Sequence, residues 1–139
     1  MPLYELRGIM FWVERSSKQC PWMWHHESYE WWSDNGVKPD KPRGVELSNT
    51  ENFLTWTKDQ PWMVMHELAH GYHTRVLGGG HPGIKHFYET AKPSKNYDSV
   101  LEGVKRERHY PINNEKEYFA GVSEAISARM IFNHSRVIS

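Results

Sequence analysis

The chain has 139 residues, with 17 lysines and arginines against 17 aspartates and glutamates, so its formal net charge is zero when histidine is neutral. This length suits a single domain spanning residues 1–139, and the balanced charge predicts neither nucleic acid nor membrane as a partner. Cys20 is the only cysteine, which excludes an intrachain disulfide and a thiolate cluster, so a metal would need histidine and carboxylate ligands.

The N-terminal part, residues 1–43, is expected to be rich in loops. Residues 5–14 contain a short apolar and aromatic run that predicts a strand, and a second strand is expected over Val45–Leu47. Prolines and glycines interrupt the chain between them, where only a turn or two around 28–33 is expected. Four tryptophans there are expected to cover the core rather than to stack on carbohydrate: Trp22, Trp24, Trp31 and Trp32.

Two helices are predicted next. A short one runs from residue 49 or 50 to Trp56. The stronger pattern begins at Pro61, with Asp59 just before it as a cap, and ends at a run of three glycines that starts at Gly78. Apolar residues recur three or four apart along this second helix: Met65, Leu68, Ala69, Tyr72 and Val76.

The segment 78–111 is expected to be irregular apart from a short helix over 84–90. The basic run 105–109 within it is broken by a glutamate and is expected to be solvated surface. Asn113 or Asn114 can cap a last helix that reaches about Met130. The predicted order of strands followed by helices along the chain indicates an α+β fold. The chain as given shows no signal-peptide pattern and no apolar run of membrane-spanning length, so its localisation is left open.

The predicted helix after Pro61 carries the motif His66-Glu67-Leu68-Ala69-His70. Two histidines four residues apart lie on one face of a helix, so both imidazoles can reach one metal ion. Histidine and oxygen ligands together favour zinc. Glu67 projects beside them, where its carboxylate can take a proton from water at the metal. The pattern therefore predicts His66 and His70 as zinc ligands and Glu67 as the general base.

A third ligand must come from elsewhere in the chain. The metzincin pattern fails because positions 73 and 76 are His and Val. His73 lies too far along the helix axis to complete the site, and we expect it to be structural or to support a ligand. Carboxylates are the remaining candidates: Glu89, Glu102, Glu115, Glu117 and Glu124. Glu117 and Glu124 share a helix face with the small residues Ala120 and Gly121, so the residues narrow the choice to these two.

The sequence Asn114-Glu115-Lys116-Glu117-Tyr118-Phe119-Ala120, following the His66 motif, resembles the catalytic domain of anthrax lethal factor and its short zincin-like relatives. The resemblance covers roughly residues 44–126. It implies a zincin-like metallopeptidase fold: a small twisted sheet, an active-site helix and a second, glutamate-bearing helix. It further implies one Zn²⁺ per chain with Glu117 as third ligand, Tyr110 as the oxyanion donor, a peptide or protein substrate, and a secreted protein. We expect a monomer.

Two features depart from the family. The family has a glutamate, hydrogen-bonded to a zinc histidine, one turn after the third ligand. Here that position is Gly121, so this orienting group is missing, which predicts a lower metal affinity or rate. His73 and Glu124 are the candidates for supporting a ligand. The tail, residues 127–139, is atypical of the family and is expected to be truncated or altered. Besides a metalloendopeptidase, the sequence therefore allows a zinc-binding peptide-recognition domain with little or no activity. Hydrolysis of a non-peptide bond is a third alternative, which no residue specifically favours.

Overall fold

The computed structural model describes the backbone of residues 3–16, 22–26, 44–102, 105–107 and 110–135. Within these, it describes the side chains of residues 5–16, 22–26, 44–99 and 111–129. The described residues form an α+β structure, with a three-stranded mixed sheet, a separate two-stranded hairpin and four α-helices. The predicted fold class is confirmed at this level.

The three-stranded sheet is built from β1 (Phe11–Val13), β2 (Met23–His25) and β3 (Val45–Leu47). β3 lies in the middle, parallel to β1 and antiparallel to β2. The hairpin pairs β4 (Val100–Glu102) with β5 (Lys105–Glu107) in antiparallel fashion. The sequence predicted β3 and, at greater length than observed, β1, whereas β2 and the hairpin were not predicted.

Helix α1 (Thr50–Asp59) begins at Asn49, whose Oδ1 accepts the Asn52 backbone N–H at 2.8 Å. This side chain satisfies an amide that the first helical turn leaves free, as predicted. The helix extends beyond the predicted Trp56, so Asp59 is its last residue rather than a cap for the next helix. Helix α2 (Met63–Arg75) carries the histidine motif and is followed by Gly78 and Gly79, whose positive φ angles of 81° and 71° turn the chain away.

Helix α3 (Pro82–Ala91) starts with a proline in its first turn, where a missing N–H has no cost. Helix α4 (Glu115–Ser135) extends five residues beyond the predicted end at Met130. Asn114 Oδ1 accepts the backbone N–H groups of Lys116 and Glu117, each at 3.0 Å, which caps α4 as predicted. Short 3₁₀ turns cover Leu3–Leu6, Lys92–Ser94 and Tyr110–Asn113.

Helix α2 packs between β2 on one side and α4 on the other. Ala69 on α2 and Ala120 on α4 are both fully buried, so small side chains allow these two helices to lie close together. This close packing places residues of α4 beside the histidines of α2. Among the described helices, none has both the length and the apolar character needed to cross a membrane.

Candidate metal centre

Three side chains that the sequence singled out converge where α2 meets α4. His66 Nε2 lies 3.2 Å from His70 Nε2 and 3.2 Å from Glu117 Oε2. His70 Nε2 lies 3.5 Å from Glu117 Oε1. Among the described residues, this is the group of three His, Cys, Asp or Glu side chains close enough together to hold a metal ion. A histidine–histidine–glutamate metal site is therefore geometrically available.

The spacing of these atoms can be compared with zinc coordination. Ligand atoms at about 2.0–2.2 Å from a tetrahedral zinc ion lie about 3.3–3.6 Å from one another. His66 Nε2 lies 3.2 Å from both His70 Nε2 and Glu117 Oε2, about 0.1 Å below this range, and the other carboxylate oxygen of Glu117 lies 3.5 Å from His70 Nε2. Two imidazoles and one carboxylate are also a ligand set that zinc accepts in hydrolytic enzymes. The residues present therefore have the types and the spacing that one zinc ion accepts.

A second glutamate of α4 contacts the other side of the His66 ring. Glu124 Oε2 lies 3.2 Å from His66 Nδ1, while Nε2 of the same ring faces Glu117. A metal-binding histidine usually donates a hydrogen bond from its second ring nitrogen to such a carboxylate, which fixes the tautomer and the ring orientation. Gly121 thus does not leave His66 without an orienting carboxylate. Glu124 contacts His66 from one turn further along α4, and the effect of Gly121 on metal affinity or rate stays a prediction.

Replacing Glu124 by alanine is expected to weaken zinc binding by roughly 10- to 100-fold without abolishing it, because His66 loses its orienting partner and keeps its ligand atom. The measurement is competition for zinc against a chelating dye. Glu115→Ala, which removes a carboxylate from the first turn of the same helix, is the matched control and should bind zinc as the wild type does. Unchanged affinity in Glu124→Ala would remove Glu124 from this role.

Glu67 is held at the outer edge of β2. His26 N–H donates to the Gly44 carbonyl, and the Trp22 carbonyl accepts the Ser48 N–H, so alternate backbone groups of β2 face β3. The intervening N–H of His25 points the other way, where it donates to the Glu67 carboxylate. The predicted general base is therefore anchored to the sheet, beside the His66–His70–Glu117 group.

The pKa values of the site follow from burial and mutual contact. Burial raises the pKa of Glu67 to about 6, although the charges of His70 and His66 and the His25 backbone act against this rise. Burial alone would lower the pKa of His66, but hydrogen bonds to Glu117 and Glu124 raise it to about 9. Burial likewise opposes ionisation of Glu117, yet its bonds to His66 and His70 lower its pKa to about 2. A metal ion binding here must therefore displace a proton from His66.

Apart from its contact with Glu117 at Nε2, His70 is surrounded by rings. Its ring meets that of His66 edge-on at 4.9 Å and lies parallel to that of His25 with centroids 6.4 Å apart. Within the described part of the chain, the buried His70 Nδ1 has no hydrogen-bond partner. The two histidines of the group are thus oriented in different ways.

The group borders a cleft of about 420 Å³. His66 and Glu67 line it from α2, and Glu124 lines it from α4. The remaining lining residues are largely aromatic or apolar on the side of β2 and α2 and small on the side of α4: Trp22, Met23, Gln60, Trp62, Met63, Pro111, Gly121, Ala125 and Ala128. A cleft of this volume, mostly apolar and with a few charged groups, suits a small ligand or a segment of peptide.

Four further residues that the sequence singled out are His73, Glu89, Glu102 and Tyr110. His73 is buried against the ring of Phe119, 5.3 Å between centroids, so it belongs to the packing of α2 on α4. Glu89 is exposed on α3 beside Lys85. The backbone of Tyr110 begins the turn Tyr110–Asn113, but its side chain lies outside the described residues, as does that of Glu102.

The four tryptophans that were expected to cover the core have different outcomes. Trp24 is half-buried and donates to Ser48 Oγ at 3.2 Å, in keeping with the prediction that it packs on the core. The same prediction was wrong for Trp22, which is 60% exposed, stacks on Trp56 at 5.6 Å and lines the cleft. Trp31 and Trp32 lie outside the described residues. No pattern in the sequence indicated His25, because a three-residue strand is too short to show an alternation of side chains.

The chain matches no known protein-family model, no curated protein and no solved structure. The candidate metal site therefore stands on its own geometry.

Proposed function

We propose that this protein is a zinc-dependent metalloendopeptidase with a zincin-like arrangement of its active site. The observation that carries the proposal is the position of Glu67. Its carboxylate lies beside the His66–His70–Glu117 group and on the wall of the same cleft. Metal ligands alone would suit a structural site, whereas a carboxylate beside the ligands on the wall of a cleft suits hydrolysis.

Each residue has a defined part in this proposal. His66, His70 and Glu117 hold the ion, and Glu124 keeps the His66 ring in place. A zinc ion bound there supplies a Lewis acid that polarises a carbonyl and acidifies water. Glu67 accepts the proton of the attacking water at its carboxylate. Tyr110 donates from its hydroxyl to the oxyanion that develops.

The edge of β2 supports a peptide as substrate. β2 is an outer strand of the described three-stranded sheet, and Met23 and Trp22 from this region line the cleft. Because Met23 and His25 occupy equivalent places in the alternation of β2, the backbone of Met23 also faces away from β3. An extended peptide could add to this edge by main-chain hydrogen bonds, which would place a peptide bond near Glu67.

The test is digestion of a peptide library by the zinc-loaded chain, followed by mass spectrometry of the products. We expect internal cleavage that stops on chelation and returns when zinc is restored. The alternative, a zinc-binding peptide-recognition domain with little activity, predicts retention of peptides without new termini. Cleavage that persists in chelator would contradict a zinc-dependent reaction.

Tyr110→Phe removes only a hydroxyl and is expected to lower kcat by on the order of a hundredfold, because the donor acts mainly in the transition state. Zinc content and KM should change little. The measurement is steady-state cleavage of a peptide identified in the library digest. A change in KM alone would make Tyr110 a specificity contact, and an unchanged rate would make His109 the next donor to test.

A further inference from the structure

Gly121 occupies a place on α4 where no other residue fits without movement. Gly121 and Pro111 are both buried, and both line the cleft. A Cβ added at Gly121 would overlap Pro111 Cγ and lie 2.7 Å from Pro111 Cβ, closer than such atoms approach one another. Glycine lowers the stability of a helix interior relative to alanine, so we expect a local contact that requires glycine here. The close approach of Pro111 is that contact.

Pro111 belongs to the turn Tyr110–Asn113, which leads into α4. The far end of this turn is fixed by several contacts. Ile112 is 2% exposed, and the Tyr88 hydroxyl on α3 lies 3.4 Å from the Ile112 carbonyl and 3.2 Å from that of Asn113. At the near end, the contact between Pro111 and Gly121 lies one residue from Tyr110. This contact therefore sets where the chain enters the turn.

We propose that Gly121 is a positioning residue for catalysis: its lack of a side chain seats Pro111 on α4 and thereby fixes the backbone of the preceding residue, Tyr110. The inference rests on the proposed function and adds a residue to it. Gly121 stands where the related family has a glutamate that orients a zinc histidine. In this chain Glu124 contacts that histidine, and position 121 serves the turn instead.

A side chain at position 121 could also reduce the rate for a simpler reason. Gly121 lines the cleft, so a methyl group there could obstruct the substrate directly. Obstruction would raise KM and would act whether or not Tyr110 had its hydroxyl. Displacement of the turn would lower kcat and would matter only while that hydroxyl is present. A double-mutant cycle with Tyr110→Phe separates the two.

The experiment measures kcat, KM and zinc affinity for Gly121→Ala, Tyr110→Phe and the double variant, using a peptide cleaved by the wild type. We expect Gly121→Ala to lower kcat about tenfold or more, while its zinc affinity stays within about threefold of the wild type. In the Tyr110→Phe background, the same substitution should lower kcat by less than about twofold. Pro111→Ala, which removes ring atoms from the other side of the contact, should behave in the same way should Gly121→Ala not fold. Gly80→Ala is the control, since a Cβ there meets nothing within 4 Å.

A second readout does not depend on activity. Hydrogen–deuterium exchange of the segment 110–114 should become faster in Gly121→Ala and stay unchanged in Gly80→Ala. Equal costs of Gly121→Ala with and without the Tyr110 hydroxyl, or unchanged exchange of the segment, would overturn the role of Gly121 and leave the proposed hydrolysis standing. A zinc-loaded wild type that cleaves no peptide would overturn the proposed function and this inference with it.

Discussion

Glu67→Gln is expected to reduce peptide hydrolysis by at least about a hundredfold, since general bases contribute roughly 10²–10⁴ to enzymatic rates. The amide has nearly the shape of the carboxylate but cannot accept the proton of the attacking water. The side chain lies beside the ligands and is not one of the three converging donors. The variant should therefore keep the fold and the zinc ion while losing turnover.

The rate and the zinc content must be measured on the same preparation. Glu51→Gln provides a matched control, because Glu51 is an exposed carboxylate on α1 whose contact with Arg15, at 3.8 Å, is a surface ion pair of little energetic weight. The control should retain wild-type activity. More than about a tenth of the wild-type rate in Glu67→Gln would exclude Glu67 as the general base.

Glu117→Ala is expected to weaken zinc binding more than a substitution of a residue that only orients a ligand. It removes the only carboxylate among the three donors and leaves two imidazoles as the remaining donors. We expect binding to weaken by more than the roughly 10- to 100-fold expected for loss of the Glu124 carboxylate, and hydrolysis to disappear at limiting zinc.

Competition with a chelating dye, combined with elemental analysis after dialysis, measures this difference. The comparison with Glu124→Ala is informative because both glutamates contact the His66 ring at 3.2 Å, one at each nitrogen. If Glu117→Ala retained full zinc while Glu124→Ala lost it, the ligand and the orienting carboxylate would be exchanged, and the site would need a different geometry.

Much of the helical part of the site could be predicted from sequence because its determinants are local. Asn49 and Asn114 cap helices through side-chain bonds to amides three residues away or fewer, and the four-residue spacing of His66 and His70 fixes their common face. Glu117 was one of two candidates on residue grounds, and the resemblance selected it. The close packing of α2 on α4 follows from Ala120, which is fully buried as expected.

Long-range pairing could not be predicted in the same way. β2 has three residues and gains its place only from antiparallel pairing with β3, so no local pattern revealed that His25 would anchor Glu67. The surroundings of Gly121 could not be predicted either, because the sequence shows a missing glutamate but neither the contact of Glu124 with His66 nor the close approach of Pro111. These features depend on how α4 is rotated against α2, which packing decides.

The most direct test of the metal site is anomalous diffraction at the zinc absorption edge from crystals of the zinc-loaded chain. The account predicts one strong peak per chain, about 2.0–2.2 Å from His66 Nε2, His70 Nε2 and a Glu117 carboxylate oxygen, with a fourth position open toward Glu67. A crystal that showed no peak between these three side chains, or a peak coordinated by other residues, would contradict it.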